Sequence, residues 1–369
     1  MRKVAQFISN ETDPEKLSAS TGINAARLKE LAAGAEPSMA EVRALALALK
    51  VTPADLLSAN KQDQVDFLFR DTAANSDVTT VSKLSNKIAW SLDLLPERDV
   101  AGPWWLGQFN REINDFSAAE QNAARFRTLF FSDNQVSPFL HLPTLAANTL
   151  GILVFLLRLK GIDGASAIFS GIPFIFLAEQ FRPRMLFTLA HEIGHIIAHH
   201  EPGQAFAIVD LSAERPRKRK NAIESYAHVF ASALLMPARG VAIALERIRA
   251  MGERAGEPIG DIELLFLSRI FGVSFYAAAR RCEDLDLVPR GGAASLDQAI
   301  RKSFGSPEKR AEALGVPPRP EVDFPRLPEP LLASAIERIR AGEISIGRAS
   351  EVLGFSISDL IDANVPVIQ

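Results

Sequence analysis

At 369 residues, 47% of them hydrophobic, the chain is long enough for two or three domains around a sizeable core. A net charge of -3 and an isoelectric point near 6.1 exclude a generally basic nucleic-acid binder and leave room only for local basic patches. Cys282 is the single cysteine, so no intramolecular disulfide can form, and a reducing compartment is expected.

The start, MRKVAQFISNETDPEK, lacks the apolar stretch of a signal peptide. The most apolar window, LGILVFLL over 150–157, is far too short to cross a bilayer. The expectation is a cytoplasmic protein with no membrane partner. Residues 16–34 read KLSASTGINAARLKELAAG, two short helical patterns either side of a turn at Gly22. MAEVRALALALK follows a Pro37-Ser38 start signal, and Thr52-Pro53 precedes ADLLS. The stretch LSASTGINAARLKELAAGAEPSMAEVRALALALKVTPADLL resembles a Cro/repressor-type helix-turn-helix domain over about residues 5–60, so 1–60 is set apart as a first domain. Within 1–60 seven basic residues meet seven acidic ones, a poor balance for phosphate contacts. Asn24, Arg27 and Lys29 are the polar candidates for reading duplex DNA, with Ala25 and Ala26 between them. Duplex binding and protein docking both remain open for this domain.

Residues 61–99 read as a polar connector with one helix, VSKLSNKIAWSLDLL. A domain over 100–287 begins with helical stretches around WWLGQFNREINDF and AAEQNAARFRTLFF. Three short apolar runs follow, LGILVFLLRL, GASAIFS and IPFIFLA, separated by Gly161-Ile162-Asp163-Gly164 and by Gly171. They predict three strands of a small sheet. Helices are then expected over 183–200, about 221–235, and in GDIELLFLSRIFG and SFYAAARRCEDL. Residues 288–330, with VPRGG, GVPPRPEVDFP and LPEP, read as a Pro/Gly-rich linker or wrapping segment, and 331–369 as a C-terminal helical segment. The fold class is α+β, mainly helical, with a small sheet packed on the helix that carries the histidines.

TLAHEIGHIIAHH, residues 188–200, holds four of the six histidines. His191 and His195 stand at i and i+4, so both imidazoles share a helical face and can reach one metal ion. Glu192 is offset from that face, where it can hold a water beside the metal. His199 and His200 suit a helix C-terminus as bystanders favoured by the dipole. A catalytic zinc needs a third ligand and an open position. In ESYAHVFASALLMP, Glu224 and His228 also stand at i and i+4, and either could complete the site. Tyr226 lies off that face and reads as packing; Cys282, on an amphipathic helix, reads as a core thiol, with a zinc-blocking thiolate as the minor alternative.

Residues 149–237 resemble the ImmA/IrrE-type zinc metallopeptidases, a gluzincin-like family whose members cleave repressor proteins. The elements that carry the resemblance are LGILVF, LKGIDGASAIF, IPFIFLAEQ, RMLFTLAHEIGH and ESYAHVFASALLMP in that order. It implies one catalytic Zn²⁺ held by His191, His195 and Glu224, with Glu192 moving a proton from water to the leaving amine. The family often has Asn where this chain has His228, which leaves His228 as a candidate oxyanion or substrate contact. The implied substrate is a helix-turn-helix repressor, cut to derepress stress, mobile-element or defence genes.

Just before the second motif, Arg215, Arg217, Lys218, Arg219 and Lys220 place five positive charges in six residues. A solvated loop and a site for single-stranded nucleic acid, serving as a sensor of an activating DNA-damage signal, both fit. Two rival functions stand beside the peptidase: a DNA-binding regulator with a non-catalytic metal site, and a toxin–antitoxin component acting by binding.

Overall fold

The computed structural model describes residues 14–32, 35, 37–48, 78–95, 102–110, 116–132, 134–159, 161–199, 205–211, 222–252 and 257–353. Among them, the helices either side of Gly22 are α1 (Pro14–Thr21) and α2 (Ala25–Ala32), followed by α3 (Met39–Ala48). Gly22 takes φ +70, a left-handed turn that side chains disfavour. Leu17, Leu28, Leu31, Val42 and Leu45 close a small core of their own. The ADLLS helix lies outside the described residues.

Next come α4 (Val78–Leu94), a single 3-10 turn at Trp104–Gln108, α5 (Phe116–Phe130) and α6 (Leu142–Asn148). The sheet then forms from β1 (Leu153–Leu157), β2 (Ile162–Phe169) and β3 (Ile172–Ala178), and is completed after α7 (Arg182–His199) by β4 (Phe206–Leu211). Its order is β1-β3-β2-β4, with β1 parallel to β3 and the other pairs antiparallel. Four strands replace the expected three. β4 is an edge strand of only six residues, FAIVDL, too short for its alternation to stand out in the sequence. Gly161-Ile162-Asp163-Gly164 is not a separator either, since β2 begins at Ile162.

Alternation along the strands divides the side chains between two cores. Val154, Ile168, Ile175 and Leu177 face α7 in the larger core. Phe155, Ala165, Phe174 and Phe176 face the other way. Both faces are covered, so IPFIFLA is buried at every position, as a strand between two layers must be. α7 covers one face. The other is covered by α4 together with α14 (Glu329–Arg340) and α15 (Ile346–Leu353), which bring Leu84, Ile88, Leu331, Ala335 and Leu353 onto the phenylalanines. Ser334 Oγ donates to the Leu94 carbonyl at 2.6 Å, and Arg338 donates to that of Asp93.

The remaining helices are α8 (Ala222–Leu235), α9 (Ala238–Met251), α10 (Asp261–Ile270), α11 (Phe275–Asp284), α12 (Gly292–Phe304) and α13 (Pro307–Ala313). α12 and α13 fall inside the expected linker. The glycines and prolines that suggested a linker are helix punctuation: Ser306 caps α13 with Pro307 in its first turn, and Gly291, Gly305 and Gly315 take positive φ at helix ends. After α13 the chain does wrap, burying Val316, Val322 and Phe324. Arg319 holds this strap by donating to the carbonyls of Ser268, at 2.9 Å, and Val273. No single helix among the described residues is long and apolar enough to cross a membrane.

Candidate metal centre

α7 is apolar around most of its circumference, and Leu186, Leu189, Ala190, Ile193 and Ile196 are each 0% exposed. Polar side chains in such a helix carry a desolvation cost, so their presence points to a use. His191 is 5% exposed, and Glu192 and His195 are 0% exposed. The two imidazoles stand at 83° with ring centroids 4.6 Å apart, and their Nε2 atoms are 3.0 Å apart.

Glu224 reaches them from the first turn of α8, where the helix dipole favours a carboxylate. Its Oε2 is 3.6 Å from His191 Nε2 and its Oε1 is 3.6 Å from His195 Nε2. One ligand atom from each of the three lies within 4.8 Å of the others, the one such group of potential metal ligands among the described residues. Two atoms each 2.0–2.1 Å from a tetrahedral zinc are about 3.3 Å apart. The observed 3.0 and 3.6 Å bracket that value, so these residues fit a zinc ion.

Close packing of α7 on α8 makes the group possible. Gly194, between the two histidines, lies over Ala227, and a Cβ there would come within 3.1 Å of Ala227 Cα. The far end of α8 is held by two buried guanidinium groups, a favourable place for cations. Arg127 donates to the Leu234 carbonyl at 2.7 Å and Arg281 to that of Met236 at 2.8 Å. Burial pushes the Arg127 guanidinium down to about 10, which leaves it charged at neutral pH. Arg281 is also paired with Glu120 of α5.

His228 sits one turn beyond Glu224, half-buried, with its ring centroid 5.1 Å from that of Phe187 on α7. Phe187 is one turn before His191, so the two rings adjoin the metal group. Tyr226 points the other way, 1% exposed, and its hydroxyl accepts a hydrogen bond from Asn122 Nδ2 at 2.6 Å. Cys282 is buried in the larger core, where burial pushes its thiol up to about 12. At neutral pH it is a thiol and not a thiolate. His199 ends α7, and His200 lies outside the described residues.

The candidates for nucleic-acid contact fare differently. Asn24 Oδ1 accepts from the Arg27 backbone N–H at 2.7 Å, capping α2. Arg27 donates to Glu41 at 2.7 Å and to Glu30 at 3.0 Å, and its guanidinium holds the Glu41 carboxyl down at about 2. Lys29 is exposed. Arg215, Arg217, Lys218, Arg219 and Lys220 lie outside the described residues.

Sequence reasoning missed the glycines. Gly194 had a signal, because a lone glycine inside a helical pattern commonly marks close packing. Gly164 on β2 had none, since its neighbours come from a helix more than twenty positions away. A Cβ there would be 2.5 Å from Glu192 Oε1 and 2.6 Å from Thr188 Cγ2.

Residues 147–283 match the family profile of the M78 peptidases, described as the IrrE N-terminal-like domain. The matched range includes α7 and α8 with His191, Glu192, His195 and Glu224. No curated protein matches the chain.

Proposed function

We propose that this chain, which carries a metallopeptidase domain of the IrrE-like M78 family, is a zinc-dependent endopeptidase that cuts a helix-turn-helix repressor at one site. The observation that carries the reading is the compact group of His191, His195 and Glu224 with Glu192 buried on the same helix. Two imidazoles and one carboxylate leave a tetrahedral ion one open position, as catalytic zinc sites do. Structural zinc sites are closed by four protein ligands, usually with cysteine, which disfavours a merely structural metal.

When bound, zinc supplies Lewis acidity, lowering the pKa of water toward about 7 and polarising a carbonyl. The other steps belong to the chain. Glu192 takes the proton from the attacking water and passes it to the amine nitrogen as the peptide bond breaks. Its burial excludes bulk water from that transfer. His228, one turn from Glu224 and packed on Phe187, donates to the oxyanion or contacts the substrate.

The repressor substrate rests on the family resemblance, as do derepression of stress or defence genes and a cytoplasmic location. A DNA-binding regulator gains less support, because Arg27 already serves Glu41 and Glu30. The test is incubation of the metal-loaded chain with helix-turn-helix repressors from the same genome. Cleavage into two fragments that stops with a chelator and returns with zinc supports the peptidase. An intact repressor together with tight duplex binding by the chain supports the regulator.

A further inference from the structure

We infer that a bulge in β2, with Asp163 clamped to Arg184 and a side-chain-free position at Gly164, positions the Glu192 carboxylate for proton transfer. The inference rests on the peptidase reading of the site. β2 and β4 fall out of step between Ile162 and Gly164: Ile162 pairs with Leu211, Gly164 with Asp210, and Asp163 is the extra residue. Bulges re-aim the chain locally and are common beside active sites. This one faces α7, where Arg184, Thr188 and Glu192 follow at intervals of four and share a stripe.

Arg184 Nη2 donates to Asp163 Oδ2 at 2.7 Å. The two side chains are 41% and 17% exposed, so the pair adds little to stability, and its consequence is to fix where the bulge meets the helix. One residue on, Gly164 is buried, and a Cβ would stand 2.5 Å from Glu192 Oε1. The backbone of β2 is therefore the wall against which the carboxylate rests. An alanine would displace the flexible end of Glu192 by about 1 Å to regain van der Waals separation. The same Cβ would meet Thr188 Cγ2 at 2.6 Å, and a β-branched side chain yields less easily.

Those two contacts can be separated. Thr188→Ser removes the methyl group and serves as the parent, and Gly164→Ala is added to it. The expected double variant binds zinc with the parent's stoichiometry, keeps its KM, and loses about 100-fold in kcat, the usual scale for a 1 Å misplacement. Its crystal structure places the Glu192 carboxylate about 1 Å from the parent position. Arg184→Met, which frees the bulge without adding atoms at Gly164, gives a smaller fall in kcat at unchanged KM. An unmoved carboxylate, an unchanged kcat, or loss of zinc from the double variant overturns the inference. If the parent cleaves no repressor, the peptidase reading fails, and the position of the carboxylate still decides whether β2 sets it.

Discussion

Replacing Gly194 with alanine tests how the metal group is assembled. The new Cβ would lie 3.1 Å from Ala227 Cα and 3.1 Å from Phe230 Cδ1. Carbon atoms prefer about 3.5–4.0 Å, so α7 and α8 must separate by roughly 0.5 Å. Glu224 is carried on α8 and already stands 3.6 Å from each histidine nitrogen, at the long end for a shared zinc. Moving it outward by about 0.5 Å exceeds the roughly 0.2 Å tolerance of a metal–ligand bond. Overpacking costs about 1–3 kcal/mol, and the gain in helix propensity over glycine offsets about 1 kcal/mol. The expected net loss of stability is therefore small, about 0–2 kcal/mol, whereas zinc affinity falls roughly 10–100-fold, as for other disturbances of ligand support. Competition with a chromophoric chelator measures the affinity, and urea unfolding of the metal-free chain measures the stability. Wild-type zinc affinity in a folded Gly194→Ala protein would refute the argument that close helix packing delivers the third ligand.

Three further outcomes follow from the same structure. Glu224→Ala should leave the apo fold intact, because the residue is partly exposed at a helix start, yet lower zinc occupancy in metal analysis. Arg127→Met leaves the carbonyls of Leu234, Gln135, Asn134 and Ser137 without their donor, and about 3–5 kcal/mol should be lost in chemical unfolding. For Cys282 the folded thiol is raised from 9.0 to about 12, so its contribution to stability is complete below about pH 9 and declines as pH rises toward 12. Other groups, Arg127 among them, titrate over the same range in both proteins, so the expected sign is in the difference: the stability of wild type relative to Cys282→Ala should fall as pH rises from about 9 toward 12, and the native thiol should resist thiol reagents at neutral pH.

The pairing of His191 with His195 was legible because its logic is local, whereas spacing alone left Glu224 and His228 equal and the family resemblance pointed to Glu224. His191 and His195 are separated by one helical turn, and the second motif ends in a recognisable Leu-Leu-Met-Pro. The central strands were legible because a strand covered on both faces is continuously apolar, as IPFIFLA is. β4 escaped because an edge strand is half-buried and its pattern is short. α12 and α13 escaped because prolines and glycines serve helix ends as readily as linkers. The pairing of Arg27 with Glu41 escaped because the two lie 14 positions apart on different helices. Gly164 and the Asp163–Arg184 pair are contacts between a strand and a helix, and no spacing rule in one dimension announces them.

The central claim is that Glu192 performs proton transfer at a zinc held by its neighbours. Its most direct test is mass spectrometry of helix-turn-helix repressors from the same genome after incubation with wild type or Glu192→Gln, with zinc measured in both proteins. The expected result is one zinc per chain in each, two repressor fragments from the wild type, and intact repressor with the variant. Equal cleavage by both proteins would contradict the account.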